Sequence, residues 1–282
     1  MLAAFVLFLR EGLEASLIVS ILLAALRQLG QTRQMRAVWL GAGLAAVGSF
    51  AGAAAIYATV QAYDNTTFQT IFETVAYLVA VALLTYMTFW MQRHSRSLKK
   101  ELTAKASAAG SGFAFGLLAF STVGREGLET AVFMLAFAFQ TSAGWLLLGA
   151  GLGLLAAVAL CFAIYRMGYR LDYRVFFRVV GVLLLFFAAG LLGDAVQNLQ
   201  ALQWLPGGAA HLWNTSGILS EDSMVGDLLH TFLGYSDTPS ALQLLGYLVY
   251  LGITGAFFIH ATRKPGAPHT RKEASALTAT HA

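Results

Sequence analysis

Long, almost uninterrupted runs of apolar residues follow one another along the chain, separated by shorter polar segments. A helix rises about 1.5 Å per residue, so about 20 apolar residues span the roughly 30 Å hydrocarbon core of a bilayer. A transmembrane β-strand would instead show short segments that alternate between apolar and polar residues. Seven runs of sufficient length lie at 2–26, 37–60, 70–92, 112–139, 145–165, 179–202 and 242–262. The pattern therefore predicts an all-α membrane protein with seven transmembrane helices.

The overall composition agrees with this prediction and excludes an ordinary soluble domain. Hydrophobic residues make up 58% of the chain, charged residues only 11%, and the mean hydropathy is +0.67. The single cysteine, Cys161, lies within an apolar run, so one chain can form neither an internal disulfide nor a cysteine-based metal site. Most tryptophans and tyrosines, Trp90 among them, lie near the ends of the runs, which is typical of an aromatic belt at the membrane surface.

The positively charged residues lie in alternate connecting segments. Of the 18 Lys and Arg residues, all but Arg10 and Arg125 lie in the stretches 27–36, 93–105, 166–178 and 263–272. No Lys or Arg occurs in the intervening segments, which are 61–69, 140–144 and 203–241. Because cytoplasmic loops carry the excess of Lys and Arg, we expect a multi-pass protein of the cytoplasmic (inner) membrane with its N-terminus outside and its C-terminus inside. The basic pI of about 9.3 follows from this arrangement and does not indicate a nucleic-acid partner.

Two short sequences occur twice in the same order. Arg-Glu-Gly-Leu-Glu stands at 10–14 and 125–129, and Leu-Gly-Ala-Gly-Leu follows at 40–44 and 148–152. We interpret the first three helices and the next three as two repeats. Because each repeat crosses the membrane an odd number of times, the repeats are expected to be inverted relative to one another, as in many transporters.

The chain then divides into a permease domain at 1–264 and a disordered cytoplasmic tail at 265–282. The seventh helix stands outside the repeats. The parts of the domain are repeat one at about 2–92, repeat two at about 112–202, an external loop at 203–241 and helix seven at 242–262.

The first repeated motif places charged residues where an apolar helix should have none. On a helix, Glu11 and Glu14 share one face, and Arg10 can pair with Glu14, four residues further on. The second motif has the same spacing. An ionised side chain that faces lipid costs about 2.5–3.5 kcal/mol, so these side chains must face the protein interior or water.

The charge balance of the two motifs indicates what they do. One interpretation is a latch that joins helices, but each arginine neutralises only one of the two glutamates in its motif. Four glutamates against two arginines leave a surplus of two negative charges, which can receive a cation. Ligands that are all oxygen suit Mg²⁺, Ca²⁺, Mn²⁺ or oxidised iron. The residues alone therefore predict a cation permease with a carboxylate gate.

Paired motifs in the first and fourth helices of a seven-helix protein resemble the oxidase-dependent iron permease family, which has fungal and bacterial members. The external "LWNTSGILSEDSMVGDLLHTFLGY" is also similar to the family's loop before the last helix, and the resemblance spans nearly all of 1–262. It implies that iron is the transported substrate and that no cofactor is permanently bound. It implies an extracytoplasmic oxidase, peroxidase or iron-binding protein as partner. The iron-binding residues that it implies are Glu11, Glu14, Glu126 and Glu129, supported by Arg10 and Arg125.

Further polar residues near the predicted outer surface are candidates for an ion entrance. Two of them lie near the outer ends of the third and sixth helices, and the others lie in the external loop, which also predicts a short amphipathic helix around 223–234. An ordinary solvated surface is the competing interpretation. The candidates are Glu73, Asp194, Glu221, Asp222, Asp227 and His230, with His211 as a further loop residue.

Two other functions stay open from the residues alone. A surplus of two negative charges also fits a permease for Mn²⁺ or Mg²⁺, and only the resemblance favours iron. An intramembrane enzyme such as a metalloprotease is a more distant alternative, because no apolar run contains His-Glu-x-x-His. We therefore predict an iron permease and not an enzyme.

Overall fold

The computed structural model of the protein describes residues 1–61, 66–94, 104, 111–140, 142–167, 173–206, 211–221 and 223–263. Across these residues the chain is helical and has no β-sheet, only one isolated bridge between His211 and Ser240. The tail at 265–282, predicted to be disordered, lies outside the described residues. The helices are α1 (Leu2–Gln28), α2 (Met35–Gln61), α3 (Thr67–His94), α4 (Gly112–Ala138), α5 (Ala143–Met167), α6 (Tyr173–Ala201), α7 (Met224–Leu233) and α8 (Ala241–Arg263), with a 3₁₀ turn at Thr32–Gln34.

Each of the seven predicted spans coincides with a long helix, and the short helix predicted in the external loop is α7. The largest difference is at α6, which begins at Tyr173 and not at 179. The apolar run starts later because Arg174 and Arg178 interrupt it, whereas the helical backbone continues through both arginines. Charge therefore marks where the apolar part of this helix begins and not where the helix begins.

Five helices of the described chain, α2, α3, α5, α6 and α8, are long and apolar enough to cross a membrane by length and composition. The other two long helices, α1 and α4, have 27 residues each, as long as α2, but each carries the three charged residues of a repeated motif. The protein is therefore an all-helical membrane protein, and the two long helices that fall short of this apolar standard are the two that bear the motifs.

The helices pack in closely contacting pairs. α1 lies against α5 and α2 lies against α4, while α6 packs against both α3 and α8. Small residues allow the first two pairs to approach closely. A Cβ atom added to Gly41 would collide with the carbonyl oxygen of Gly116, and one added to Gly149 would collide with the carbonyl oxygen of Met1. Backbone therefore lies directly on backbone at both contacts.

These contacts join equivalent positions of the two repeated sequences. Gly41 and Gly149 are both the second residue of Leu-Gly-Ala-Gly-Leu, and Met1 and Gly116 both stand nine residues before the motif arginine. A second set of contacts follows the motif glycines. Gly12 faces Ala157 and Gly127 faces Ser49, and these partners both lie nine residues after the first leucine of their Leu-Gly-Ala-Gly-Leu.

Two apolar clusters lie on either side of the motifs. One contains Leu7 before the motif of α1 and Phe133 after the motif of α4, together with Phe187 of α6. The other contains Leu22 after the motif of α1 and Phe115 before the motif of α4. The charged residues thus form a polar layer between two packed apolar clusters.

Candidate metal centre

The motif of α1 is buried in the middle of the helix and its charges pair with one another. The Arg10 guanidinium lies 3.0 Å from Glu11 Oε1 through Nη1 and 3.1 Å from Glu14 Oε1 through Nε. All three side chains are at most 5% exposed. Arg10 and Glu14, four residues apart, share a helix face, and the long arginine side chain also reaches the adjacent Glu11.

The motif of α4 repeats this pairing in a different environment. Arg125 Nη2 lies 3.2 Å from Glu126 Oε1, and Arg125 Nε lies 3.3 Å from Glu129 Oε1. Unlike Arg10, the Arg125 side chain is 49% exposed. Its guanidinium carbon lies 5.0 Å from the ring centroid of Trp90, a residue of α3. The two motifs are therefore alike in their internal ion pairs and unlike in what surrounds the arginine.

The two motifs meet where α1 and α4 contact each other. A carboxylate oxygen from each of Glu11, Glu126 and Glu129 lies within 4.8 Å of the other two. Oxygens on opposite sides of a hard cation bound at about 2.0–2.6 Å are about 4–5 Å apart, so this spacing fits one shared ion. Glu14 lies outside this group of three; its Oε1 is ion-paired with Arg10 Nε at 3.1 Å, although it too is buried without a hydrogen bond among the described residues.

Each of the three glutamates has one oxygen engaged and one free. The Oε1 atoms of Glu11, Glu126 and Glu129 are bound by the arginines, whereas their Oε2 atoms are buried without a hydrogen-bond partner among the described residues. A buried oxygen that makes no hydrogen bond is costly, and a cation would satisfy it. Arg10 lies within electrostatic reach of all four motif glutamates. Because the two motifs hold two arginines and four glutamates, two carboxylates have no balancing arginine.

A cavity of about 480 Å³ lies beside this cluster. Its polar lining includes Glu11 and Glu126, and most of the remaining wall is apolar. Ser49 and Thr130 also line it, and sequence reasoning did not identify either of them. Thr130 directly follows the second motif, which is a signal that could have drawn attention to it, but nothing in the sequence marks Ser49.

Three candidates for the ion entrance lie at the end of the bundle where α4 and α6 end, which we call the loop-side end. His230 of α7 lies between two acids: its Nδ1 is 2.7 Å from Glu221 Oε1, and its Nε2 is 3.6 Å from Asp194 Oδ2. The Gln140 side chain donates a hydrogen bond to the same oxygen of Asp194. Three candidates, Asp194, Glu221 and His230, are therefore brought together.

The remaining candidates stand differently. Glu73 is half-buried on α3 and, like Asp194, lies within electrostatic reach of Tyr77. His211 is exposed and its Nδ1 lies 2.8 Å from the carbonyl oxygen of Thr238. Asp222 and the side chain of Asp227 lie outside the described residues.

The His230 group gives a prediction for pH. Burial opposes a charge on the imidazole, but pairing with Asp194 and Glu221 outweighs burial and raises the pKa of His230 to about 11. A raised pKa means that the pairing stabilises the loop fully below about pH 6.5 and that this stabilisation is lost as the pH rises through about 11. A spin label at position 225 of α7, in a Cys161→Ala background, should stay immobile from about pH 6 to about pH 9 and become mobile above about pH 10.

His230→Gln should make the same label mobile at neutral pH, and Asp194→Asn should weaken its immobilisation, because each removes one charge of the pairing. Mobility that instead changes around pH 6.5 would mean that His230 titrates as an ordinary histidine and does not bridge the two acids.

A helical membrane protein with a buried cluster of carboxylates, two of them in excess of the neighbouring arginines, belongs to the class of cation permeases. The iron permease FTR1 family matches residues 1–263, and the chain belongs to that family. The ferrous iron permease EfeU of Escherichia coli O157:H7 is 36% identical over 265 residues, which cover 89% of this chain and 92% of the relative. The protein of the same name from Yersinia pestis is also 36% identical over 265 residues, which cover 89% and 90%. No solved structure matches the chain.

Family membership confirms the resemblance inferred from the sequence and, with it, the iron permease function. The chain is a transport protein and not an enzyme. Neither the manganese or magnesium permease nor the intramembrane enzyme is favoured by these similarities. The assignment of individual glutamates as iron ligands stays a prediction.

Proposed function

We propose that the protein moves ferrous iron across the cytoplasmic membrane through a single site formed by both motifs. One observation carries this proposal: carboxylates of Glu11, Glu126 and Glu129, from two different helices, converge within 4.8 Å and keep buried oxygens free. The net surplus of two negative charges balances a divalent ion. The relatives from Escherichia coli and Yersinia pestis are named ferrous iron permeases, which supports Fe²⁺ as the transported ion.

In this proposal the arginines hold the site in shape before the ion binds. Each guanidinium binds one oxygen of each glutamate in its motif, so the carboxylates stay in place although two of them lack a balancing charge. The free oxygens then receive the ion without a large rearrangement. An ion held only by charge balance and a few oxygens can also leave again, as conduction requires.

We further propose that the helices form two inverted repeats of three helices, with helix seven outside them, the N-terminus outside and the C-terminus inside. The distribution of Lys and Arg supports the orientation. The matched contacts of Gly41 with Gly116 and of Gly149 with Met1 support the repeats, because a twofold relation exchanges one contact for the other. An ion site on such an axis receives ligands from both halves.

Reporter fusions test the orientation. A reporter inserted between α3 and α4, in the segment 95–105, should lie in the cytoplasm. A reporter inserted at 205–210 should lie outside. Both segments on one side of the membrane would contradict the inverted arrangement, because an odd number of spans separates them.

The loop-side end is proposed as the entrance. Asp194 and Glu221 carry two negative charges against the single positive charge of His230, so the group attracts cations over a distance of about one Debye length. The loop segment 203–241 contains no Lys or Arg that would oppose this attraction. We propose that an oxidase, peroxidase or iron-binding protein outside the membrane delivers iron here.

Uptake of radioactive iron by cells that express the chain tests the function. Ferrous iron should enter faster than ferric iron, and excess Mn²⁺ should compete only weakly. Equal uptake of Mn²⁺ and Fe²⁺ would favour a general permease for divalent cations, and absence of any iron uptake by membrane-inserted protein would contradict the proposal.

A further inference from the structure

Trp90 makes a contact between its aromatic ring and a cation, and the cation is an arginine of the proposed iron site. The Arg125 guanidinium lies 5.0 Å from the centroid of the Trp90 ring, within the roughly 6 Å at which such an attraction operates. Trp90 belongs to α3, whereas Arg125 belongs to α4, so the contact joins the motif to a helix that carries no motif.

The contact compensates for a difference between the two motifs. Arg10 is 2% exposed and is enclosed by protein on all sides, which fixes its guanidinium. Arg125 has the same two ion pairs but is 49% exposed, so packing alone does not fix it. A half-exposed arginine in the middle of an otherwise apolar helix is costly in a membrane unless something covers or solvates it. The Trp90 ring lies against the guanidinium and shields part of it.

We propose that Trp90 is a positioning residue of the iron site: by stacking on Arg125 it sets the direction of the guanidinium fork and, through it, the position of the Glu126 and Glu129 carboxylates. The guanidinium is planar and donates from fixed directions. Rotating its plane therefore moves both Nη2 and Nε, which bind Glu126 and Glu129 at 3.2 and 3.3 Å. The free oxygens of these two glutamates would leave the position shared with Glu11.

This inference rests on the proposed iron site, and its test separates the two. The measurement is the initial rate of Fe²⁺ uptake against Fe²⁺ concentration, normalised to the amount of protein in the membrane. Trp90→Leu keeps an apolar side chain without a π face, and we expect uptake at limiting iron to fall on the order of tenfold through a raised KM. Trp90→Phe keeps the π face and should stay within about threefold of the unchanged protein.

The matched control is Trp39→Leu, because Trp39 is 60% exposed on α2 and lies on a helix without a motif. It should transport normally. Melting of the purified protein in detergent accompanies each variant, and the positioning role requires that Trp90→Leu and Trp90→Phe melt alike while their KM values differ. Trp90→Met replaces the leucine variant if that protein does not reach the membrane.

Normal uptake by Trp90→Leu would overturn the positioning role, because the tryptophan would then not be needed. Equal losses in the leucine and phenylalanine variants would also overturn it, because the size of the side chain and not its π face would then matter. Glu129→Gln distinguishes failure of the proposed iron site from failure of the role of Trp90. If Glu129→Gln transports normally, the proposed iron site itself is wrong; if it does not transport while Trp90→Leu does, only the role of Trp90 is wrong.

Discussion

Uptake of ferrous iron should fall about 100-fold when Glu129 is replaced by Gln, and by a similar factor in Glu11→Gln or Glu126→Gln. Each substitution keeps the size of the side chain and removes one of the three carboxylates that converge within 4.8 Å. It also leaves an arginine with one ion pair fewer, and for Glu11 that arginine is the buried Arg10, where such a loss costs more than at a surface. Radioactive Fe²⁺ uptake, normalised to membrane-inserted protein, measures the effect.

The three losses should not multiply. If one ion needs ligands from both helices, Glu11→Gln combined with Glu129→Gln should be little worse than either change alone, as expected of residues that act as a unit. Losses that multiply would instead indicate two sequential sites. Glu101→Gln, in the predicted cytoplasmic stretch, is the control and should transport normally.

Glu14→Gln gives the sharpest comparison, because the sequence makes Glu14 equivalent to Glu129 whereas the structure does not. Its carboxylate lies outside the group of three and is bound by Arg10 Nε at 3.1 Å. We expect a loss of about tenfold, caused by the disturbed arginine and not by a missing ligand. A loss as large as that of Glu129→Gln would show that all four glutamates bind the ion. Protein that no longer reaches the membrane in any of these variants would favour the interpretation of the motifs as a structural latch.

The long helices were predictable because a bilayer requires long apolar helices: each of the seven runs coincides with a long helix, and five of these helices are apolar enough to span a membrane. The meeting of the two motifs was also predictable. Charges such as Glu11 and Glu126 cannot face lipid, so in a small bundle they must face one another. Both predictions follow from the surrounding lipid more than from the details of side-chain packing.

The differences between the motifs were not predictable. Nothing in two identical five-residue sequences distinguishes Arg10, which is enclosed, from Arg125, which is half-exposed beside an aromatic ring. Trp90 lies four residues from the end of α3, where a position in the membrane-surface belt explains it equally well. The bridge from His230 to Asp194 depends likewise on how α7 folds back over α6. Each of these facts is set by contacts between helices that are distant in the sequence.

Within each Leu-Gly-Ala-Gly-Leu sequence, replacing the first glycine by alanine should destabilise the protein, whereas replacing the second glycine by alanine should not. A Cβ at Gly41 would strike the backbone of Gly116, and a Cβ at Gly149 would strike the backbone of Met1. At Gly43 and Gly151, two residues further on, a Cβ would meet nothing within 4 Å. Because a backbone carbonyl cannot rotate away as a side chain can, the helices themselves would have to separate at the first two positions.

We therefore expect Gly41→Ala and Gly149→Ala each to lower the free energy of unfolding by about 2–3 kcal/mol and to reduce the amount of protein in the membrane. Gly43→Ala and Gly151→Ala are matched controls in the same helices, and they should be neutral or slightly stabilising, since alanine is the better helix former by about 1 kcal/mol. Unfolding in detergent, followed by the loss of helical circular dichroism, measures all four. Similar behaviour of all four variants would mean that these helices do not touch through their backbones. A loss at Gly41 alone, with none at Gly149, would remove the equivalence of the two contacts, and with it the main structural support for two inverted repeats that share one ion site.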